Sequence, residues 1–284
     1  MEKSTLSKHK PRKSAFTLIE ILVASVIMVI LVGLVIQITS EVLKVWNRAS
    51  GKLSANAEAR VALDLITQDL ETAVLRSRDK QWLFVDSANS GLGPYGGQTV
   101  AVRMFSPARD RDTNLPGDIC GIAYELDFRG AYEGSTDETY VLYRKVFSPE
   151  DTFNALMEPS AHDDISNGWG AINEDSNYLV SNIVEFKVIL YGLDPATGDA
   201  VEINWNPGAY EFLPGAYGYG GSAGNIDDKL LYADIYITVV SDQGLEFLQN
   251  IANGTGGTGY SNVDDIVREH GEIFTRRVNF LTSQ

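Results

Sequence analysis

Twenty consecutive residues without a formal charge, Ile21 to Ser40, constrain this chain more than any other feature. All of them are apolar except Ser25, Gly33, Gln37, Thr39 and Ser40. At 1.5 Å rise per residue, about twenty helical residues cross the roughly 30 Å hydrocarbon core of a bilayer. The run is rich in β-branched Val and Ile, which are weak helix formers in water. In lipid the backbone must satisfy its own hydrogen bonds, and the helix wins. Ahead of the run, Lys3, Lys8, Lys10, Arg12 and Lys13 oppose a single acid, Glu2. Residues 1–15 therefore carry +4 of an overall −15, which leaves −19 for the rest. The positive-inside rule puts the basic end in the cytoplasm and the acidic bulk across the membrane. The sequence predicts a single span.

A buried core helix, a signal peptide and a lipoprotein anchor all account for the run less well. A buried core helix is seldom apolar over so many residues behind a basic tail. A secretory signal peptide has a shorter apolar region, about 7–15 residues, and a small-x-small cleavage site, and none follows Gln37. A lipoprotein anchor needs a cysteine near the run, whereas the chain's one cysteine is Cys120.

Glu20 separates an ordinary anchor from something more specific. It stands at the cytoplasmic edge of the run, within Phe16-Thr17-Leu18-Ile19-Glu20. A carboxylate at the centre of a membrane helix costs up to about 2.5–3.5 kcal/mol, and less near the interface. Simple snorkelling into water would leave the four uncharged residues before it without a purpose. Ser14-Ala15-Phe16-Thr17-Leu18-Ile19-Glu20 followed by a long apolar helix resembles the type III signal of prepilins and pseudopilins. That resemblance implies cutting of the Ala15–Phe16 bond by a membrane prepilin peptidase on the cytoplasmic face, and N-methylation of the new terminus at Phe16. Ala15 departs from the family pattern, in which Gly is commonest. Cleavage would place a positive amine in a low-dielectric layer, where an unpaired charge is expensive and a paired one is not. The resemblance implies that Glu20 meets this amine on a neighbouring subunit and so sets the register of a filament.

Beyond the span the helix is expected to run on to about Arg78. Ala55, Ala59, Ala62, Leu63, Ile66, Leu70, Ala73 and Val74 recur at helical spacing and form an amphipathic stripe. An upstream stripe, Val42, Val45, Trp46, Ala49 and Leu53, points in a slightly different direction, and Gly51 between the two invites a bend. After the helix the pattern turns strand-like at Trp82–Asp86, Thr99–Phe105, Ile119–Phe128, Thr139–Phe147, Ile183–Tyr191, Tyr232–Val240 and Ile273–Leu281. Short helices are expected at Gly244–Ile251 and Asn262–Glu269. Strands without βα alternation predict an α+β class, with one long N-terminal helix packed on a mainly antiparallel sheet. The expected organisation is a basic leader at 1–15, a transmembrane helix at 16–40, its amphipathic continuation at 41–80 and an extracytoplasmic head at 81–284. Pro207–Asn225 and Asn253–Gly259 read as loops, from their glycine content.

Catalytic and metal-binding patterns are weak. Gly220-Gly221-Ser222-Ala223-Gly224 matches G-x-S-x-G, but no strand pattern precedes it and no helix pattern follows, so no nucleophile elbow is expected. Asp110-Arg111-Asp112-Thr113-Asn114 begins like an EF-hand loop, yet Leu115 stands where Gly is required and Gly121 where Glu is. The acidic pairs Asp163-Asp164, Asp227-Asp228 and Asp264-Asp265 are better explained as a solvated surface. His162 and His270 are expected at the surface or an interface rather than in catalysis. With one cysteine and few histidines, neither a disulfide framework nor a zinc cage is expected. The acidic body argues against nucleic acid as a partner.

The expectation is a non-enzymatic, single-pass protein of the bacterial inner membrane with its head in the periplasm. No catalytic residue, cofactor, metal or small-molecule substrate is expected. Its partners would be the membrane, the prepilin peptidase and other pilin or pseudopilin subunits. A long head suits a minor subunit, and the combination of FTLIEILVA, a head after the Asp64–Asp69 helix and the later Ile183–Tyr191 strand resembles the minor pseudopilin J of type II secretion. The minor pilin W of type IV pili and an uncharacterised prepilin-like cassette protein C family are the nearest alternatives. The competing class is an extracytoplasmic enzyme or binding protein that uses the helix only as an anchor.

Overall fold

The computed structural model describes residues 17–75, 81–88, 98–108, 117–130, 138–157, 165, 168–193, 197–203, 215–219, 230–252, 260 and 262–280. Contacts divide the chain into two units, Met1–Ala49 and Ser50–Gln284. Helix α1, Leu18–Glu71, contributes to both.

In the second unit the predicted stripe is what folds. Ala55, Ala59, Ala62, Leu63, Ile66 and Leu70 are all buried, and fully burying Leu63, Ile66 or Leu70 contributes about 1.5–3 kcal/mol each. Gly51 lies within the helix without ending it. The helix stops at Glu71, short of the expected Arg78, because the strands claim the next backbone groups. The Val74 amide turns away to donate to the Phe105 carbonyl at 2.7 Å.

Among the described residues ten strands follow: β1 (Leu83–Ala88), β2 (Gln98–Ser106), β3 (Cys120–Gly130), β4 (Glu138–Val146), β5 (Tyr178–Val180), β6 (Ile183–Leu193), β7 (Ala200–Glu202), β8 (Gly215–Tyr219), β9 (Leu230–Val240) and β10 (Gly271–Asn279). The single sheet expected from the sequence is two: a six-stranded sheet in the order β5-β4-β3-β2-β1-β8, and a four-stranded one, β10-β9-β6-β7. Every pairing is antiparallel. The chain passes between the sheets just after β5. There Asn182 adopts φ 58°, a left-handed conformation that Asn tolerates better than most residues. Its amide donates to Asp242 at 2.6 Å and its oxygen accepts from Thr139 at 3.2 Å, so the crossing point is tied to β4 and to helix α2 (Asp242–Ala252).

Alternation along the six-stranded sheet feeds two cores. Val102, Met104, Ile122, Tyr124 and Leu142 join the core shared with α1 and the inner face of the four-stranded sheet. Ala101, Phe105, Ala123, Val141 and Tyr143 face the other way, where Trp82, Leu156 and Trp169 cover them. Gly121 leaves room here for the end of the Leu156 side chain and the Trp169 ring, both of which a Cβ at that position would crowd. A third cluster forms where α2 and helix α3 (Val263–His270) pack over Val184 and Val240.

Strand β10 runs alongside α1 in a matched register. Asn56 donates to Glu272 at 2.7 Å, the Arg60 guanidinium lies 5.7 Å from the centre of the Phe274 ring, and Arg276 pairs with Asp64 at 2.9 Å. Steps of four along the helix meet steps of two along the strand because the rises agree, about 6.0 Å against about 6.6 Å.

Candidate functional site

Of the assembly and processing residues singled out by the sequence, Glu20 is the one the structure describes, in the first turn of α1. Thr17 precedes the first helical residue and Glu20 is the third within the helix. The Glu20 carboxylate accepts from the Thr17 backbone amide at 2.8 Å and from the Thr17 hydroxyl at 2.9 Å. In return the Glu20 amide donates to the Thr17 hydroxyl at 3.4 Å. This is a capping box, in which the cap residue and the acid three positions on satisfy each other's orphan groups, with the acid at the positive end of the helix. The T-x-x-E spacing is present in the sequence and is the signal that marks Thr17. It also gives a purpose to one of the uncharged residues ahead of Glu20. Ala15 and Phe16, the expected cleavage and methylation positions, lie outside the described residues.

The apolar run carries its polar groups inward upon itself. Ser25 donates to the Leu22 carbonyl and Thr39 to the Val35 carbonyl, each at 2.8 Å. Hydroxyls that bond back to their own helix cost little in a medium without water. From Leu18 to Ile38 the large hydrophobic side chains are 47–83% exposed. The helix is long and apolar enough to cross a membrane, and none of its most apolar stretch is buried.

The other candidates fare differently. Ser222 and its glycines, the run from Asp110 to Leu115, Asp163-Asp164, Asp227-Asp228, His162 and the Asn253–Gly259 segment all lie outside the described residues. Asp264 and Asp265 occupy the first turn of α3, where the helix dipole favours acids and Asn262 caps the Asp265 amide at 2.9 Å. Among the described residues no group of three or more His, Cys, Asp or Glu could hold a metal ion. His270 corrects an expectation: it is buried, not superficial, because it ends α3 against the Phe247 and Tyr260 rings, with Nε2 2.8 Å from the Tyr260 hydroxyl. A further polar group, which the sequence pattern does not announce, sits between α1 and the sheet. Asp69 accepts from Tyr124 at 2.5 Å and from Arg144 Nε at 2.9 Å, and both ion-pair partners are nearly inaccessible. Burial, together with the Asp69 carboxylate, pushes the Tyr124 phenol well above its ordinary range and keeps it a donor. Asp69 falls on the polar side of the predicted stripe, and only the fold brings Arg144 to it.

Compared with known families, residues 10–36 match the prokaryotic N-terminal methylation motif. No curated protein matches the chain. Among solved structures the chain is similar to the type IV-like pilin TTHA1219 from Thermus thermophilus, at 12% identity and a TM-score of 0.35, over 79% of this chain and 96% of that one. A likeness of that size carries no argument about function. The start of the chain is prepilin-like, on the strength of the motif, and an α+β unit follows.

Proposed function

We propose that this chain is a minor subunit of a pilus or pseudopilus, built into the filament through α1. The observation that carries the reading is the methylation motif at residues 10–36 leading into a helix whose large apolar side chains stand exposed from Leu18 to Ile38. Residues 1–15 remain in the cytoplasm, residues 16–40 span the bacterial inner membrane, and the head stands in the periplasm. Prepilin peptidase cuts the Ala15–Phe16 bond and Phe16 is N-methylated. The capping box holds the Glu20 carboxylate in the first helical turn. During assembly it pairs with the Phe16 amine of a neighbour, so that neither charge enters the apolar interior alone. The role is mechanical: α1 leaves lipid for a bundle of like helices, and the head adds a tip or surface contact. The length of the head suits a minor subunit, and the combination of the FTLIEILVA start, a head after the Asp64–Asp69 helix and the Ile183–Tyr191 strand favours a J-like subunit of a type II secretion pseudopilus over a W-like subunit of a type IV pilus.

Mass spectrometry of the protein from its native membrane is the direct test. The expected terminus is N-methyl-Phe16. An intact Met1 would overturn the filament reading in favour of an extracytoplasmic protein that keeps its helix as an anchor. Replacing the acid, Glu20→Leu, is expected to leave insertion and processing unchanged while abolishing cross-linking to neighbouring subunits.

A further inference from the structure

The same helix carries a second marker beyond its apolar run. Trp46 is 70% exposed and stands on the face of Val42 and Val45, while Lys44 lies on another side of the helix. A bare indole in water is costly, but an indole at a lipid headgroup layer buries its ring and keeps its N–H wet. Depth is what makes the assignment. Glu20 and Trp46 are 26 residues apart on one uninterrupted helix, which places them about 39 Å apart along its axis. Hydrocarbon core and both headgroup regions together measure roughly 40–45 Å. Side chains on a helix lean toward its N-terminus, which draws the indole back toward the bilayer.

We infer that Trp46 anchors α1 in the outer headgroup layer of the membrane while Glu20 rests in the inner one, so that the pair sets the depth of the unassembled subunit. The partner is the lipid interface, not a protein surface. The inference rests on the reading of α1 as a membrane span and is independent of whether a filament forms. Its consequence is a coupled release. Drawing the helix outward by about one turn, 5.4 Å, lifts Trp46 out of its layer as it pulls Glu20 toward hydrocarbon.

The test uses the full chain in phosphatidylcholine and phosphatidylglycerol vesicles, with lipids brominated near the headgroup or deep in the acyl chain. The difference in emission between the wild type and Trp46→Phe isolates Trp46 from the other tryptophans. Its emission is expected to be blue-shifted, and to lose more intensity to the shallow bromines than to the deep ones. A second arm places a reporter by Ile30→Trp, in the middle of the apolar run. With Trp46 present the deep label quenches the reporter best, and adding Trp46→Ser moves it toward a shallow label. A Trp46 signal typical of water and unquenched at either depth overturns the inference, as does a reporter whose depth ignores Trp46→Ser. A Trp46 shielded only when a second copy of the chain is cross-linked beside it overturns it too, and leaves the filament reading standing. Loss of membrane binding by every form of the chain would instead defeat the span reading itself.

Discussion

The two halves of α1 are made of one helix and obey opposite rules. Between Leu18 and Ile38 the large hydrophobic side chains stand exposed, and from Ile21 to Ser40 no charged residue marks a polar side. Between Ser50 and Glu71 the helix is far more polar, yet Ala59, Ala62, Ile66 and Leu70 are completely buried. Apolar content alone is therefore a poor guide to burial. What selects the buried half is spacing, which sets Ala55, Ala59, Ala62, Leu63, Ile66 and Leu70 on one face of the helix. What marks the other half is the absence of spacing, which suits a surround that is apolar in all directions.

The strongest way to probe the buried half is to break its enclosed ionic contact, Asp69 with Arg144. Removing Arg144 as Arg144→Ala leaves Asp69 charged and enclosed, which is expected to cost about 3–5 kcal/mol. Chemical denaturation of the full chain in detergent, followed by emission from the buried Trp82 and Trp169, measures it. Replacing all three members with apolar residues of similar size (Asp69→Leu, Tyr124→Phe and Arg144→Met) should recover most of that loss, because no unpaired charge remains. A triple variant as unstable as Arg144→Ala would mean that the network itself holds α1 to the sheet.

The sharpest test of the contrast is a matched pair of substitutions. Ile66→Ala empties part of a filled core and is expected to lower head stability by about 2–5 kcal/mol. Ile30→Ala removes the same atoms from the exposed half and should leave the denaturation curve of the head unchanged. A drop with Ile30→Ala would show that the bare half supports the head after all.

Legibility in the sequence follows the same divide between local and non-local causes. The long strands β2, β3, β4, β6, β9 and β10 can be read to within a few residues, since alternation and turn residues are local signals. The short strands β5 and β7 escape the pattern, being too brief to show a period. β8 lies hidden inside a glycine- and tyrosine-rich stretch that reads as a loop; it is a strand because β1 offers it an edge, with Leu83 opposite Tyr219. That the strands sort into two sheets is a matter of long-range pairing, and the left-handed turn at Asn182, where the chain first changes sheet, is announced by no pattern. At the candidate site the acid at Glu20 is legible from its odd position, whereas the role of Thr17 needs the cap geometry. The burial of His270 depends on aromatic rings brought from Phe247 and Tyr260, one of them on another helix.

A smaller effect is expected where the helical periphery joins the head. Asn262 caps the amide of Asp265 at the start of α3, and Asn262→Ala should cost about 1 kcal/mol in the same denaturation assay. Asn262→Ser keeps an acceptor and should restore most of it. The cap on α1 makes the contrasting case: Thr17→Ala opens the capping box of the exposed half and is expected to leave head unfolding untouched.

The smallest effect separates the halves by pH. Asp86 on β1 and Glu125 on β3 flank Ala101 in one row across the six-stranded sheet. Burial raises both carboxyls above their ordinary values, with Arg103 opposing the rise. An acid whose pKa is higher folded than unfolded holds its proton longer in the folded state. Its contribution to stability is therefore fullest below the unfolded value, about pH 4, and declines as pH climbs through the raised one. This is the reverse of a carboxylate stabilised by an ion pair. Glu125→Gln cannot ionise, so its stability relative to wild type should improve as pH rises from about 4 and level off once the native carboxyl is fully charged. A difference that stays flat with pH would place Glu125 in water, and the outer face of the six-stranded sheet would then resemble the exposed half of α1 more than the buried one.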